Sequence, residues 1–480
     1  MGKANNKTLV KNTGIIAIGN ISTKIINFLL LPLYTSLIST EDYGTIDLLS
    51  TYTTLILAVV SLQLYQAVFR FVAVVRDEPE KKRSTMTTIF MLSFVAATVY
   101  AIVFFALSPF LHFRQKWYLL FQVLTNMYLL MTTNAARGIG DNRIYAFSNF
   151  FSAAVTLMLN VIFLVVLRLN AMTMLWAYII GPVAGGTVAL VSKKMWRCFS
   201  FRQFSQARAK EYLKYAVPLV PNELSWWVVH ASNRTIISAV LGVAVNGLIA
   251  VASKFSSIYT TIFGVFNTAW TEQCVLHFNE EGGKKYIAET TVTVTKLFVS
   301  VTVGIVAFMP FVFPVMVDSK YDAAYGLIPL YITAVFFNVL IGLISPIYLI
   351  NNETGKVAAS TFAAAVINIA VDVALVKYIG MYAAPISSLC AYLVISLWRL
   401  WDVERRYLKI PFGKIFLLIS FPAFAVVSAG YYSKNTPFQI GCAIFACLFA
   451  FVFNRKLLNS ICKTIMNKEG KKCTKNSNGY

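Results

Sequence analysis

The sequence predicts an all-α integral membrane protein, and three of its features support that prediction. Hydrophobic residues fill 58% of the 480 positions, only 13% of the residues are charged, and the mean hydropathy is +0.67. A soluble protein would need about a quarter of its residues charged to cover its surface. Apolar runs of the ~20 residues that cross a bilayer also recur along the whole chain. A soluble fold is therefore excluded.

Long apolar runs separated by short polar breaks predict fourteen transmembrane helices, which we number as spans. We place them at 12–37, 46–70, 86–110, 117–136, 145–167, 171–191, 214–232, 246–270, 289–316, 326–350, 357–376, 382–398, 413–431 and 438–454. Because the number of spans is even, both ends of the chain are expected on the same side of the membrane.

The distribution of Lys and Arg predicts the orientation, since cytoplasmic loops retain an excess of cations. With the N-terminus inside, the predicted cytoplasmic segments hold 32 of the 42 Lys and Arg, the outward loops hold 7, and 3 lie within spans. Both termini are therefore predicted in the cytoplasm. The formal net charge of +22 is mainly a topology signal and does not indicate a nucleic-acid partner.

The longest predicted cytoplasmic loop divides the chain into two sets of six spans. The predicted parts are an N-terminal lobe at 1–191 (spans 1–6), a cytoplasmic linker at 192–213, a C-terminal lobe at 214–400 (spans 7–12), spans 13 and 14 at 401–454, and a basic cytoplasmic tail at 455–480. The basic linker is either an amphipathic segment at the lipid headgroups or a solvated connection.

A short repeat supports this division into two halves. The matched residues are Gly44, Ile46 and Ser50 in span 2 and Gly247, Ile249 and Ser253 in span 8. Their identical spacing, together with the two sets of six spans, suggests two parallel halves related by an axis along the membrane normal.

Three groups of cations and polar side chains lie at membrane depth, where charges are costly and tend to face a cavity. They are Asn20, Lys24 and Asn27 in span 1, Lys254, Ser257 and Thr261 in span 8, and Gln63, Gln66 and Arg70 at the end of span 2. Within each group, helical spacing puts the side chains on one face. A cation beside hydroxyls or amides suits a phosphate and a sugar. The alternatives are an acid partner for Lys24, a snorkelling or structurally paired side chain for Lys254 and a topology role for Arg70.

Spans 7 and 11 supply further candidates. Span 7 carries Glu223 and, eleven residues later on the same face, Arg234. Glu223 is suited either to titration during transport or to neutralising a cation of another span. Span 11 carries Asn368 and Asp372 one turn apart, which are suited to binding Na⁺, to carrying a proton or to packing the helix. Cations at membrane depth outnumber carboxylates, which favours an anionic cargo over a cationic drug.

No enzymatic site is predicted. The outward loops are short and carry few acids, and no Walker A, GxSxG or HExxH sequence occurs. The seven cysteines show no CxxC spacing, so neither a disulfide framework nor a metal site is supported. We expect no enzyme activity, no metal and no cofactor, while coupling to an H⁺ or Na⁺ gradient or to the membrane potential stays open.

Three stretches of the sequence resemble one transporter family. They are NTGIIAIGNISTKIINFLLLPLYTSLISTEDYG near the start, YAVPLVPNELSWWVVHASNRTII in span 7 and NGLIAVASKFSSIYTTIFGVFNTAWTE in span 8. From residue 8 to about 400, the chain resembles the polysaccharide-transport family of the multidrug/oligosaccharidyl-lipid/polysaccharide (MOP) flippase superfamily, which includes the O-antigen and capsule-repeat flippases. It departs from the family at Asn233, where an acid often precedes the span 7 arginine, and this puts a local ion pair in doubt.

The resemblance implies two six-helix lobes around a central cavity that opens alternately to either side, with spans 13 and 14 as additions. The implied cargo is an undecaprenyl-diphosphate-linked oligosaccharide, which crosses from the inner to the outer leaflet of the bacterial cytoplasmic membrane. Lys24, Arg70 and Lys254 would hold the diphosphate, because a buried diphosphate needs compensating cations. The further predicted substrate contacts are Asn20, Asn27, Ser257 and Arg234.

Other assignments stay open at this point. Asp372 and Glu223 are the candidates for ion coupling, and a polysaccharide polymerase and glycosyltransferases are the implied partners. A drug/cation antiporter of the same superfamily would depend on those two acids instead of the lysines. A peptidoglycan-precursor lipid flippase would differ only in its cargo, and a membrane-embedded glycan polymerase is disfavoured by the short outward loops.

Overall fold

The computed structural model of the protein describes residues 28–412, 414–433, 435–455 and 459. Within those ranges the chain is helical and contains no β-strand, as the all-α prediction requires. Asn20, Lys24 and Asn27 lie outside the described residues, as does nearly all of the predicted tail.

The described α-helices are numbered in chain order. They are α1 (Leu31–Leu37), α2 (Thr40–Val60), α3 (Leu64–Val74), α4 (Pro79–Leu107), α5 (Lys116–Gly138), α6 (Asn142–Val161), α7 (Met174–Ser192), α8 (Gln206–Ala216), α9 (Val220–Leu241), α10 (Val243–His277), α11 (Gly283–Met316), α12 (Ile328–Ile350), α13 (Thr354–Ile379), α14 (Ala383–Arg406), α15 (Lys414–Tyr432) and α16 (Thr436–Phe453).

The predicted spans coincide with these helices from span 2 to span 14, whereas most of span 1 lies outside the described residues. By length and composition, 9 helical segments of the described residues are able to cross a membrane. One of them, Thr354–Arg406, contains both α13 and α14. The protein is therefore a multi-pass membrane protein, and the count of fourteen spans stays a prediction.

Span 2 is predicted as one helix but consists of two, α2 and α3, with a break around Leu62. Leu62 and Gln63 both adopt left-handed backbone conformations, with φ of 46° and 56°, which costs roughly 1–3 kcal/mol for each residue. The buried Gln63 side chain stabilises the break, since its amide donates to the Ala58 carbonyl oxygen at 3.2 Å and accepts from Gln66 at 2.8 Å. Both glutamines of the predicted polar stripe therefore hold the break, and Arg70 lies beyond it.

The predicted linker is ordered and is bound along α4. Thr87 accepts a hydrogen bond from the Ser200 backbone N–H at 3.2 Å and donates to the Cys198 carbonyl oxygen at 3.0 Å. Within α8, the Tyr212 hydroxyl donates to Thr85 at 3.0 Å. Because hydroxyl groups of one helix hold it at several points, the linker is a fixed part of the fold.

The described residues form two compact units. Unit 1 extends to Lys254 and includes Asn368–Ala384, and unit 2 comprises Phe255–Ile367 and the described residues from Pro385 onward. The core of unit 1 packs α3, α4, α5 and α8 together through buried apolar side chains, among them Leu64, Val68, Met86, Ile89, Met127, Met131 and Tyr212. The lobe boundaries deduced from the sequence stay a prediction.

Unit 2 contains a buried arginine that three helices surround with oxygen atoms. Arg399 in α14 is 1% exposed. Its guanidinium group donates to Ser345 of α12 at 2.7 Å and, on α13, to Ser360 at 2.6 and 3.0 Å, to Thr361 at 3.2 Å and to the Val357 carbonyl oxygen at 3.1 Å. Arg399 therefore holds α12, α13 and α14 together, whereas the sequence indicated only a cation near the cytoplasm.

Candidate functional site

Two of the predicted substrate contacts lie on α10. Lys254 and Ser257 are one helical turn apart, and both are half-buried. Lys254 is the last residue of unit 1, and Ser257 belongs to unit 2. The predicted cation and hydroxyl thus lie on a membrane-spanning helix, and their role in binding stays a prediction, as does that of Lys24, Asn20 and Asn27.

Arg70 is exposed near the end of α3, on the predicted cytoplasmic side. Its guanidinium carbon lies 4.3 Å from the centroid of the Tyr215 ring and 5.7 Å from that of Phe71. These are cation–π distances. Among the described residues Arg70 has neither an ion pair nor a hydrogen-bond partner. The rings therefore orient the planar group and leave its N–H donors available to a ligand.

A second arginine at this end was not identified as a site residue from the sequence. Arg137, in the last turn of α5, is half-buried, with its guanidinium carbon 4.2 Å from the Phe69 ring centroid and 5.6 Å from that of Tyr145. Within the described part of the chain it also makes no ion pair or hydrogen bond. The sequence presented Arg137 as a loop cation because nothing in its spacing indicates which rings of other helices surround it.

Glu223 lies half-buried in the first turn of α9. Tyr65 of α3 is within electrostatic range of both Glu223 and Tyr145, so this acid lies on the side of unit 1 that carries the two arginines. Glu223 makes no ion pair with any residue that the structure describes. Its predicted roles in titration or neutralisation stay predictions.

Arg234 is paired with a carboxylate that the sequence did not point to. Its guanidinium group forms an ion pair with Asp47 of α2 and donates to the Ser253 hydroxyl at 3.1 Å. The Asn246 amide donates to the same carboxylate at 3.3 Å and to the Gly44 carbonyl oxygen at 3.0 Å. The two charged side chains are only 18% and 17% exposed. The partner thus comes from another helix and not from the preceding position, where the family often has an acid.

The two glycines of the sequence repeat meet beside this ion pair. A Cβ atom on Gly44 would lie 2.0 Å from the Val243 carbonyl oxygen, and one on Gly247 would lie 2.0 Å from the Thr40 carbonyl oxygen. In each case the oxygen belongs to the residue four positions before the other glycine, so the contact is reciprocal. Only glycine permits α2 and α10 to approach this closely. The repeat therefore marks a backbone contact at the predicted outer end of unit 1.

Asp372 of α13 is fully buried within unit 1. Among the described residues, neither oxygen of its carboxyl group has a hydrogen-bond partner. Asn368, one turn earlier, is also fully buried and accepts a hydrogen bond from the Ser232 hydroxyl of α9 at 3.3 Å. The Asn233 amide donates to the Ala384 carbonyl oxygen at 2.8 Å. Hydrogen bonds therefore join α9 to Asn368 of α13 and to Ala384 of α14, and Asp372 lies one helical turn from Asn368.

The described residues offer no group of three His, Cys, Asp or Glu side chains that could hold a metal ion. Three features characterise unit 1. One end presents arginines stacked on aromatic rings, the other end is closed by an ion pair and a glycine contact, and α13 carries a buried carboxyl group.

A comparison with protein families finds one match. A family model described as "Polysaccharide biosynthesis protein" matches residues 9–271, which is more than half of the chain. The matched region includes Arg70, Arg137, Arg234 and Lys254. No curated protein matches the sequence.

Solved transporter structures share the fold. The lipid II flippase MurJ in an inward closed conformation is similar with a TM-score of 0.71 and 14% sequence identity, over 92% of this chain and 99% of the other. An inward-facing multidrug resistance MATE family transporter of the MOP superfamily is similar with a TM-score of 0.61 and 14% identity, over 81% and 98% of the two chains. At such low identity the likeness shows the fold alone.

Proposed function

The chain belongs to the polysaccharide biosynthesis protein family and has the fold of MOP-superfamily transporters, and from that premise we propose that it is a flippase for lipid-linked oligosaccharides. The cargo is an undecaprenyl-diphosphate-linked repeat unit, which moves from the inner to the outer leaflet of the bacterial cytoplasmic membrane by alternating access. Glycosyltransferases supply this cargo, and a polymerase uses it for surface polysaccharide such as O-antigen or capsule.

One observation supports this function above the others. Arg70 carries a guanidinium group that aromatic rings hold in place and that has no acid partner among the described residues. A fixed guanidinium group without a carboxylate suits a phosphate, to which it can donate two parallel hydrogen bonds. Lys254, and Lys24 in the part of span 1 that lies outside the described residues, would neutralise the diphosphate as it crosses. Asn20, Asn27 and Ser257 are the further contacts in this proposal, and Arg234 becomes one only when the substrate displaces Asp47.

Asp372 is the proposed coupling residue. Asp372 is fully buried and has no hydrogen-bond partner among the described residues, and an ionised carboxylate in such a place is costly. The site therefore favours a carboxyl group that carries a proton or faces a bound cation. Exchange of that proton or of Na⁺ during the transport cycle would couple flipping to an ion gradient. Glu223 is a second candidate, since it is half-buried and has no ion pair in the described part of the chain.

The deciding experiment measures flipping directly. The purified protein is reconstituted in liposomes with a fluorescent undecaprenyl-diphosphate oligosaccharide, and the fraction that reaches the opposite leaflet is followed over time. We expect wild-type protein to flip the lipid and the double variant Lys24→Ala/Lys254→Ala to flip at least tenfold more slowly. In cells that lack the protein, lipid-linked repeat units should accumulate in the inner leaflet. Undiminished flipping by the double variant would remove the lysines from the proposal.

A drug/cation antiporter is the second candidate, and the structural likeness to a multidrug transporter together with the buried Asp372 favours it. It predicts that Asp372→Asn abolishes transport while the double lysine variant stays active, and that deletion raises drug sensitivity without accumulation of lipid-linked repeats. A peptidoglycan-precursor flippase would be recognised by faster flipping of lipid II than of the oligosaccharide lipid in the same liposomes.

A further inference from the structure

Arg137 has neither an ion pair nor a hydrogen bond among the described residues, and a half-buried charge of this kind is costly. The guanidinium group is half-buried between Phe69 of α3 and Tyr145 of α6, with its carbon 4.2 and 5.6 Å from the two ring centroids. The aromatic faces attract the cation, but they accept no hydrogen bond from the N–H groups that point outward in the guanidinium plane. Up to five N–H donors are therefore available at this point.

The structural tasks that usually explain an arginine at the end of a helix are performed here by other cations. The Nε atom of Arg76 donates to the Gly138 carbonyl oxygen at 3.3 Å and so caps the C-terminus of α5. The same guanidinium group packs on Gly140, whose φ is +101° and where a Cβ atom would lie 2.9 Å from it. The acid in the following turn, Asp141, is taken by Lys193, since the two charged atoms are 2.5 Å apart. Arg137 is left without either task.

Arg70 is in the same condition one residue after Phe69. Its guanidinium group stacks on Tyr215 at 4.3 Å and has no acid partner among the described residues. Phe69, which contacts Arg137, and Arg70 are adjacent residues of α3, so the backbone of this one helix carries one of the two arginines and a ring that contacts the other. The predicted cytoplasmic end of unit 1 thus carries two guanidinium groups, each held against aromatic rings.

We propose that Arg137 and Arg70 together form a landing site at which the diphosphate of the lipid-linked sugar is first bound from the cytoplasmic side. This proposal rests on the proposed flippase function and extends it to a residue and a step that the function alone does not specify. Arg137 and Arg70 donate to the phosphate oxygens, while the rings of Tyr145 and Tyr215 keep the guanidinium planes fixed. A preformed donor set loses little entropy on binding, which favours capture from a dilute substrate pool.

The test is binding, which is measured separately from transport. Purified full-length protein in detergent is titrated with farnesyl diphosphate, a short lipid diphosphate without sugar, and the affinity is read by native mass spectrometry. Arg137→Leu keeps an apolar contact with the rings but removes the donors, so we expect about tenfold weaker binding. Arg137→Lys keeps the charge but loses the bidentate geometry and should give an intermediate affinity. Arg143→Leu removes an exposed cation of the same end and should change the affinity less than twofold.

Three results would overturn the landing site. If Arg137→Leu binds as the wild type does but unfolds at a lower temperature, Arg137 only joins α3, α5 and α6. If Arg143→Leu weakens binding as much as Arg137→Leu, general electrostatics explains the affinity. If dioleoyl phosphatidylglycerol, which carries a phosphodiester, competes as well as farnesyl diphosphate does, the arginines bind phospholipid headgroups instead of the substrate.

The landing site and the flippase function can fail independently. If the purified wild-type protein binds farnesyl diphosphate through Arg137 but cells that lack the protein accumulate no lipid-linked repeats, the landing site is supported and the proposed function is rejected. A deletion mutant that accumulates repeats, with flipping and binding unaffected by Arg137→Leu, would keep the function and reject the site.

Discussion

Arginines at the two ends of unit 1 differ in whether a carboxylate of the protein pairs with them. At the predicted outer end, Arg234 is paired with Asp47, and the neighbouring helices touch through backbone at Gly247. At the predicted cytoplasmic end, Arg70 and Arg137 contact aromatic rings and make neither an ion pair nor a hydrogen bond among the described residues. The protein thus supplies its own counter-charge where its helices close on each other, and leaves charge uncompensated where we propose that a ligand supplies it.

Arg399 of unit 2 has a purely structural role by comparison, because its guanidinium group is buried and donates hydrogen bonds to oxygen atoms of two neighbouring helices. Arg399→Leu should lower the free energy of unfolding by about 3 kcal/mol, since it leaves buried hydroxyl groups without a donor. Thermal unfolding of the purified protein in detergent measures this loss. Arg405→Leu, at an exposed position of the same helix, is the control and should change the melting temperature little. Equal losses in both variants would contradict a structural role for Arg399.

The glycine contact at the outer end should be the next most sensitive point. Gly247→Ala places a methyl group 2.0 Å from the Thr40 carbonyl oxygen, so α2 and α10 must move apart, at a cost of about 2 kcal/mol. Gly264→Ala lies in the same helix with no atom within 4 Å of the added methyl group. It should be neutral or stabilising by about 0.5–1 kcal/mol, because alanine favours a helix. A melting temperature that falls equally in both variants would show that the contact is not tight.

The ion pair beside that contact should contribute less. Asp47→Leu leaves a partly exposed Arg234 without a carboxylate and should cost about 1–2 kcal/mol, with allowance for the 18% exposure of the arginine. The double variant Asp47→Leu/Arg234→Leu should be less destabilised than the sum of the two single variants by about 1 kcal/mol. If the loss of stability in the double variant equals the sum of the losses in the two single variants, the outer end does not depend on the interaction between Asp47 and Arg234.

How far the sequence predicts the molecule depends on whether a feature is local. Apolar runs identify the helices because the backbone N–H and C=O groups of a segment in the bilayer must hydrogen-bond to one another, and a helix does this within a single run. The break in span 2 escaped prediction, since Leu62 and Gln63 are not residues that favour a left-handed backbone. The repeat around Gly44 and Gly247 was visible as spacing, and only the structure shows that the two glycines touch.

The candidate site shows the same limit. Arg70 was identified because it lies on the same face of span 2 as Gln63 and Gln66. Arg137, Asp47 and Arg399 were not, because their significance depends on rings, cations and hydroxyls that other helices bring to them. Asp372 was identified with its Asn368 neighbour from local spacing, but its lack of a partner among the described residues is a property of the packing around it.

The smallest expected effect concerns the predicted cytoplasmic end, where Asp141 pairs with Lys193 and Arg137 has no acid partner in the described part of the chain. Partial burial alone would raise the pKa of Asp141, but the hydrogen bond from Lys193, the backbone N–H of Ile144 and the charge of Lys193 hold it below its usual value of 3.8. A lowered pKa in the folded state means that the ionised carboxylate stabilises the fold above pH 3.8, and that this contribution disappears as the pH falls through the folded-state value.

Asp141→Asn should therefore be less stable than the wild type by under about 1 kcal/mol near pH 7, because the pair is partly exposed. The difference should be unchanged between pH 7 and pH 5 and should shrink towards zero only as the pH falls below 3.8, which unfolding measured at pH 7, 5, 3.5 and 2.5 in the same detergent would show. Asp77→Asn, an exposed position at the same end, is the control. The affinity for farnesyl diphosphate should change less than twofold in Asp141→Asn, because Asp141 pairs with Lys193 and not with Arg137. Markedly tighter binding would mean that Asp141 competes with the ligand for Arg137, and that the two ends of unit 1 differ less than their contacts indicate.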